Sequence, residues 1–208
     1  GHEAQCLGVV EALGLTPEIK RVHSTGLYKL MAPWGPVPKK DDVISPDGPW
    51  PTFAFATGRT TIPYIRALRR KAGLQTYTII LMDPKTGPNS ADLIWVPEHD
   101  RRRGPNVITT VTAPHRFSAE RIDALRANVP PDIVGLPSPR IACLIGGPNG
   151  DYRYPDEDQE CLVAVLRGLV ADGAGLMITT SRRTPVELAS KLKQLASGAA
   201  VMFWDGDG

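Results

Sequence analysis

Arg140-Ile141-Ala142-Cys143-Leu144-Ile145 runs into Gly146-Gly147-Pro148-Asn149-Gly150, and Gly175-Leu176-Met177-Ile178-Thr179-Thr180 runs into Ser181-Arg182-Arg183-Thr184-Pro185. Each apolar run reads as a strand buried in a sheet, and each is followed by a turn and a helical stretch, Asp156 to Ala171 and Pro185 to Ala196. A βαβ crossover lays such strands side by side and parallel, so both turns open on one sheet edge, where open α/β sheets hold their ligands. Ala200 to Trp204 adds a further strand. Asp156 with Gln159, and Thr184 with Glu187, have capping-box spacing at the two helix starts.

Upstream, the same alternation recurs less cleanly. Ala4 to Leu13 has one apolar helical face, Glu18 to Val22 is a short strand candidate, and Ser24 to Pro51 is dense in Pro, Gly, Lys and Asp and reads as mostly loop. Thr52 to Ala56 is a buried strand, Gly58-Arg59-Thr60-Thr61 a turn, and Ile62 to Ala72 a helix that Gly73 ends. Tyr77 to Met82, Leu93 to Val96 and Val107 to Val111 are further strands, and Ser118 caps a helix to Asn128. Val129 to Pro139, with four prolines, is the expected linker between domains at 1–128 and 140–208. The start at Gly1-His2 and the stop at Asp205-Gly206-Asp207-Gly208 read as a fragment, with a strand expected before Gly1 and βα units after Gly208.

Bulk properties exclude several classes. Across 208 residues, 24 basic against 22 acidic side chains leave +2, too little for a general nucleic-acid binder, and no nucleic acid is expected as a partner. Cys6, Cys143 and Cys161 are too few and too scattered for a disulfide framework or a zinc site, which fits a reducing cytoplasm. No signal peptide or membrane-spanning run is visible. A Gly-x-Ser-x-Gly elbow, a His-Glu-x-x-His pair, a Walker lysine and a Tyr-x-x-x-Lys pair are all missing, so no cofactor and no metal are expected.

The candidate chemistry gathers at turns. Gly146, Gly147 and Asn149 let backbone approach a ligand, and Ser181, Arg182, Arg183 and Thr184 place hydroxyls, helix N–H groups and two guanidinium forks in one volume suited to phosphate. Gly58, Arg59 and Thr60 repeat that logic in the first half. His99, between Glu98 and Asp100, is a proton-transfer candidate, because flanking carboxylates could hold an imidazole. His2 and His115 are candidates of the same kind, Arg101-Arg102-Arg103 reads as a solvated or acid-paired run, and Asp205 with Asp207 suits a glycine turn better than a metal.

Gly1-His2-Glu3-Ala4-Gln5-Cys6-Leu7-Gly8, Pro97-Glu98-His99-Asp100, Gly104-Pro105-Asn106-Val107, Ile145 to Gly150, Thr180 to Pro185 and Trp204-Asp205-Gly206 occur in this order. With them the chain resembles the mitochondrial-fission "elongated mitochondria" family over essentially its whole length. Bacterial members are described as nucleoside-diphosphate-sugar epimerases, and the fold is similar to GT-B glycosyltransferases. The resemblance implies an α/β architecture of two Rossmann-like domains facing a cleft, the second incomplete here, with a nucleotide sugar as ligand and a lipid-linked or membrane-associated acceptor. It would give Ser181, Arg182, Arg183 and Thr184 the diphosphate, and His2 or His99 the acceptor proton. Epimerisation would instead need Glu98 and Asp100. The plant members imply another role, an adaptor that brings a division protein to a membrane surface.

Overall fold

The computed structural model describes residues 2–38, 43–45 and 47–206, with the side chain of His2 outside the described set. The chain divides into two compact units, Gly1–Ile122 and Asp123–Gly208. Each carries a fully parallel sheet, a Rossmann-like α/β arrangement.

In the first unit α1 (His2–Ala12) and α2 (Gly26–Met31) precede β1 (Phe53–Ala56), α3 (Ile62–Ala72), β2 (Tyr77–Ile80), β3 (Leu93–Pro97) and β4 (Val107–Thr110). The strands pair in chain order, Phe53 opposite Tyr77, Ile80 opposite Ile94 and Ile94 opposite Val107. α3 starts with Pro63 in its first turn, where a missing N–H costs nothing, and ends at Gly73 with φ 56°. It buries Ile62 and Ile65 against Ile80, Ile94 and Val96. A buried side chain of this size contributes about 1.5 to 3 kcal/mol of transfer free energy, so this layer fixes the strand ends that carry the loops.

In the second unit β5 (Arg140–Ile145), α6 (Asp156–Ala171), β6 (Gly175–Thr180), α7 (Val186–Leu195) and β7 (Val201–Trp204) follow α4 (Ala119–Ala127), which spans the division, and α5 (Pro131–Val134). The order is β5-β6-β7, with Ile145 level with Thr180 and Thr179 with Trp204. Val163 and Leu166 of α6 and Leu188 and Leu192 of α7 close on Leu176 and Ile178 of the central strand. Because β5, β6 and β7 are laid down in one direction, both helices pack on the same face. On the other face Leu144 stays 81% exposed.

Two expectations are corrected. Glu18 to Val22 forms no strand: its polar side chains tie the segment down instead, Arg21 donating to both Glu3 carboxylate oxygens at 3.0 and 2.8 Å. The described part of the Ser24 to Pro51 stretch is mostly loop, as expected, with the six-residue helix α2 inside it. The Val129 to Pro139 segment holds α5 and buries Leu136, against which Gly175 packs. Neither capping box forms, since the caps are Pro155 and Pro185 with no side-chain cap bond. Proline pre-sets the chain entering each helix, which leaves Asp156 inside the first turn and frees Thr184 for other work.

Candidate functional site

The turns after β5 and β6 meet backbone to backbone. A Cβ built on Gly147 would lie 1.9 Å from the Arg183 carbonyl oxygen and 2.7 Å from the Thr184 nitrogen, so only glycine permits this approach. Thr184 stitches the junction: its Oγ1 lies 3.0 Å from the Ile145 carbonyl, 2.9 Å from that of Gly146 and 2.9 Å from the Ser181 N–H. The Ser181 N–H also reaches the Ile145 carbonyl at 3.0 Å, and the Ser181 Oγ accepts from the Arg183 N–H at 3.2 Å. The hydroxyls of Ser181 and Thr184 thus hold the turn's shape.

Arg182 and Arg183 hang outward from this fixed backbone. Both are exposed, and neither guanidinium has a hydrogen-bond or ion-pair partner among the described residues. Next to them α7 begins without a side-chain cap, so the positive end of a ten-residue helix faces the same edge. Glu187 in its first turn partly offsets that field.

The β5 turn differs in sign. α6 opens with Asp156, Glu157 and Asp158, which suit its own dipole and would repel an anion. Asn149 closes the loop, its Oδ1 accepting from the Asp151 and Tyr152 N–H groups at 2.8 and 2.7 Å. Gly146 has open space around its Cα. Arg153, which sequence reasoning passed over, is exposed and without a side-chain partner in this loop. Its position a few residues past the glycine run was the available signal. A phosphate is therefore better placed on the β6 side, with the β5 turn as its wall.

The first unit's carboxyl edge is built otherwise. Gly58, at φ 93°, gives its N–H to the Met82 sulfur at 2.9 Å, and Thr61 donates to the carbonyls of Gly58 and Thr57 at 2.8 and 3.1 Å. Arg59 donates to the Leu30 carbonyl at 2.8 Å, while Thr60 is half-buried beside it. Arg102 donates through Nε to Asp83 at 2.6 Å, and Lys85 donates to the other Asp83 oxygen at 2.8 Å. Burial pushes the Asp83 carboxyl up, but the bonds from Lys85 and Arg102 outweigh it and bring it to about 2. This network was hidden from sequence reasoning because its members come from different loops.

His99 is exposed and receives no bond from Glu98 or Asp100, whose backbone carbonyls instead accept from Arg103 at 3.1 and 2.5 Å. The His2 side chain and Asp207 lie outside the described residues. His115 uses Nδ1 to accept from the Phe117 N–H at 3.2 Å, and Asp205 pairs with Lys193 at 3.6 Å. Burial, with Glu3 nearby, pushes the Cys6 thiol up to about 11, far from a nucleophile's range. Among the described residues no group of three or more His, Cys, Asp or Glu is placed to hold a metal, and no helix is long and apolar enough to cross a membrane.

The model of a family described as mitochondrial fission ELM1 matches residues 1–208. The mitochondrial fission protein ELM1 of Arabidopsis thaliana is 23% identical over 180 residues, which cover 75% of this chain and 42% of that protein. The chain therefore spans less than half the length of the curated relative it matches. No solved structure matches it.

Proposed function

This chain belongs to the mitochondrial fission ELM1 family, and we propose that its second unit grips the diphosphate of a nucleotide sugar at the carboxyl edge of the β5-β6-β7 sheet. The observation that carries this reading is the pair Arg182 and Arg183, without side-chain partners among the described residues yet mounted on a backbone locked to Gly147 and Ile145. A rigid mount removes the backbone's share of the ordering cost when an anion arrives, so that only the two side chains have to be fixed.

In a GT-B-type transfer the two guanidinium groups would neutralise the charge that grows on the departing diphosphate as the glycosidic bond to it breaks. Free N–H groups at the start of α7 add to that effect, and Gly146 and Gly147 keep side chains out of the ligand's way. Such a transfer also needs a base for the acceptor, lipid-linked or membrane-associated in this reading, the role that the family resemblance gives to His2 or His99. His99 is exposed and without a side-chain partner among the described residues.

Isothermal titration with uridine and guanosine diphosphate sugars tests this. Saturable binding is expected for at least one, and Arg182→Ala or Arg183→Ala should each weaken it by roughly tenfold or more, the worth of one charge-assisted bond. Failure of every sugar nucleotide to bind would sink the reading.

The name of the Arabidopsis relative favours a second reading, an adaptor in mitochondrial division. There a division protein is the partner, and Arg182 and Arg183 are dispensable for function while a surface patch is not.

A further inference from the structure

At the opposite, amino edge of the first sheet lies a basic cluster that the reading above does not use. α3 runs back from the carboxyl edge, so its second half reaches the segment that leads into β3. There Arg66, Arg69 and Arg70, with Asn89, line a cavity of about 280 Å³.

Two of the three guanidinium groups are held in place by the protein. Arg66 donates through Nη1 to the carbonyls of Pro33 and Trp34, each at 3.1 Å. Arg69 donates through Nε to Asp92 at 2.9 Å and through Nη1 to the Asn89 carbonyl at 3.1 Å. The free oxygen of Asp92 is already occupied by the Thr78 N–H and hydroxyl, at 2.9 and 2.7 Å. Arg70 has no side-chain partner among the described residues.

Among the described residues three cations thus face one cavity against a single carboxylate, an excess of two positive charges. Packing like charges together is unfavourable unless an anion joins them. A phosphate monoester carries about −1.5 to −2 at neutral pH and offers oxygens in several directions, which suits forks arriving from separate side chains. A carboxylate would satisfy one fork and leave the charge uncompensated.

We propose that Arg66, Arg69 and Arg70 form a second anion site, distinct from the Arg182-Arg183 edge, that takes a phosphate monoester. The phosphate belongs either to a small soluble molecule or to a lipid headgroup. Leu74, fully exposed just past the end of α3, gives the lipid source a side chain to insert.

The test titrates inorganic phosphate into the full chain carrying Arg182→Ala and Arg183→Ala, which removes the other candidate site, and follows the arginine Nε–H resonances. Saturable shifts at Arg66 and Arg69 are expected, with Arg70→Gln weakening the affinity by roughly tenfold. The thermal midpoint of Arg70→Gln should not fall below the parent's, because among the described residues that side chain bonds to nothing and its charge only adds repulsion. Phosphatidylcholine vesicles with and without phosphatidic acid then separate the sources. Retention that needs phosphatidic acid and falls in Leu74→Ser identifies the lipid, whereas phosphate saturation without retention identifies a soluble ligand. Linear shifts that never saturate, or equal affinity in Arg70→Gln and the parent, would overturn the site.

Discussion

Arg102 in the first unit and Arg182 and Arg183 in the second all lie on loops that leave the carboxyl end of a parallel strand. Arg102 is largely buried and bonded to Asp83 and to the Thr86 carbonyl, at 2.6 and 2.5 Å. Arg182 and Arg183 are exposed and bonded through their side chains to nothing described. The residue type and the topological position are shared, so the difference lies in the neighbouring loop. Where the loop after β2 presents Asp83 the guanidinium is consumed by the fold; where the turn after β5 presents Gly146-Gly147 no described carboxylate bonds the arginines and the charge remains for a ligand. Position on a sheet edge is thus a weaker indicator of a binding arginine than the chemistry of the adjacent turn.

Exchanging the roles is the strongest way to break this contrast. The Arg182→Ala, Arg183→Ala double variant should lose affinity for a diphosphate sugar by roughly 100-fold or more, two charge-assisted bonds' worth, while its melting midpoint holds. Arg102→Ala should do the reverse, leaving affinity unchanged and costing about 2 kcal/mol in urea unfolding, since a mostly buried carboxylate loses a principal partner. A double variant that melts early, or an Arg102→Ala that unfolds like the parent, would erase the distinction.

Gly147→Ala sharpens it. Its Cβ would meet the Arg183 carbonyl and both sides of that contact are backbone, so the loops must part, at a cost of about 1 to 3 kcal/mol. Affinity should fall with stability, because the arginine mount moves. Thr184→Val is milder: it removes one hydroxyl and its bonds to Ile145, Gly146 and Ser181, costing about 1 kcal/mol by thermal unfolding.

A pH dependence sharpens the Arg102 side of the contrast. The Asp83 carboxyl is depressed in the folded protein, so its contribution is fully present above the unfolded value of about 4 and is lost as pH falls toward about 2. Denaturant midpoints of the parent should drop across that window more steeply than those of Asp83→Asn. Equal slopes would mean the network adds nothing.

Much of the second unit was legible in the sequence. The boundaries of α6 and β6 match the expectation to the residue, because unbroken apolar periodicity ends at Ala171 and resumes at Gly175 with only a glycine-bearing turn between. That the β5 and β6 turns share an edge also followed from βαβ geometry alone. Which glycine does the work was not legible: Gly146 and Gly147 read alike, and only the approach of Arg183 from 36 positions away separates them. The pairing of Asp83 with Arg102 was hidden for the same reason, a contact between loops that leaves no local pattern. Glu18 to Val22 misled because β-branched residues such as Ile19 and Val22 mark a strand only where another strand offers a ladder, and here the Arg21 side chain instead bonds Glu3 of α1.

One comparison of ligands tests the grip on diphosphate directly: the affinities of uridine diphosphate and uridine for the parent and for the Arg182→Ala, Arg183→Ala variant, or the guanosine pair where that base binds. The diphosphate should strengthen binding by roughly 100-fold or more in the parent, and nearly all of that gain should vanish in the variant. An equal diphosphate advantage in both proteins, or none in the parent, would contradict a phosphate-gripping role for these arginines.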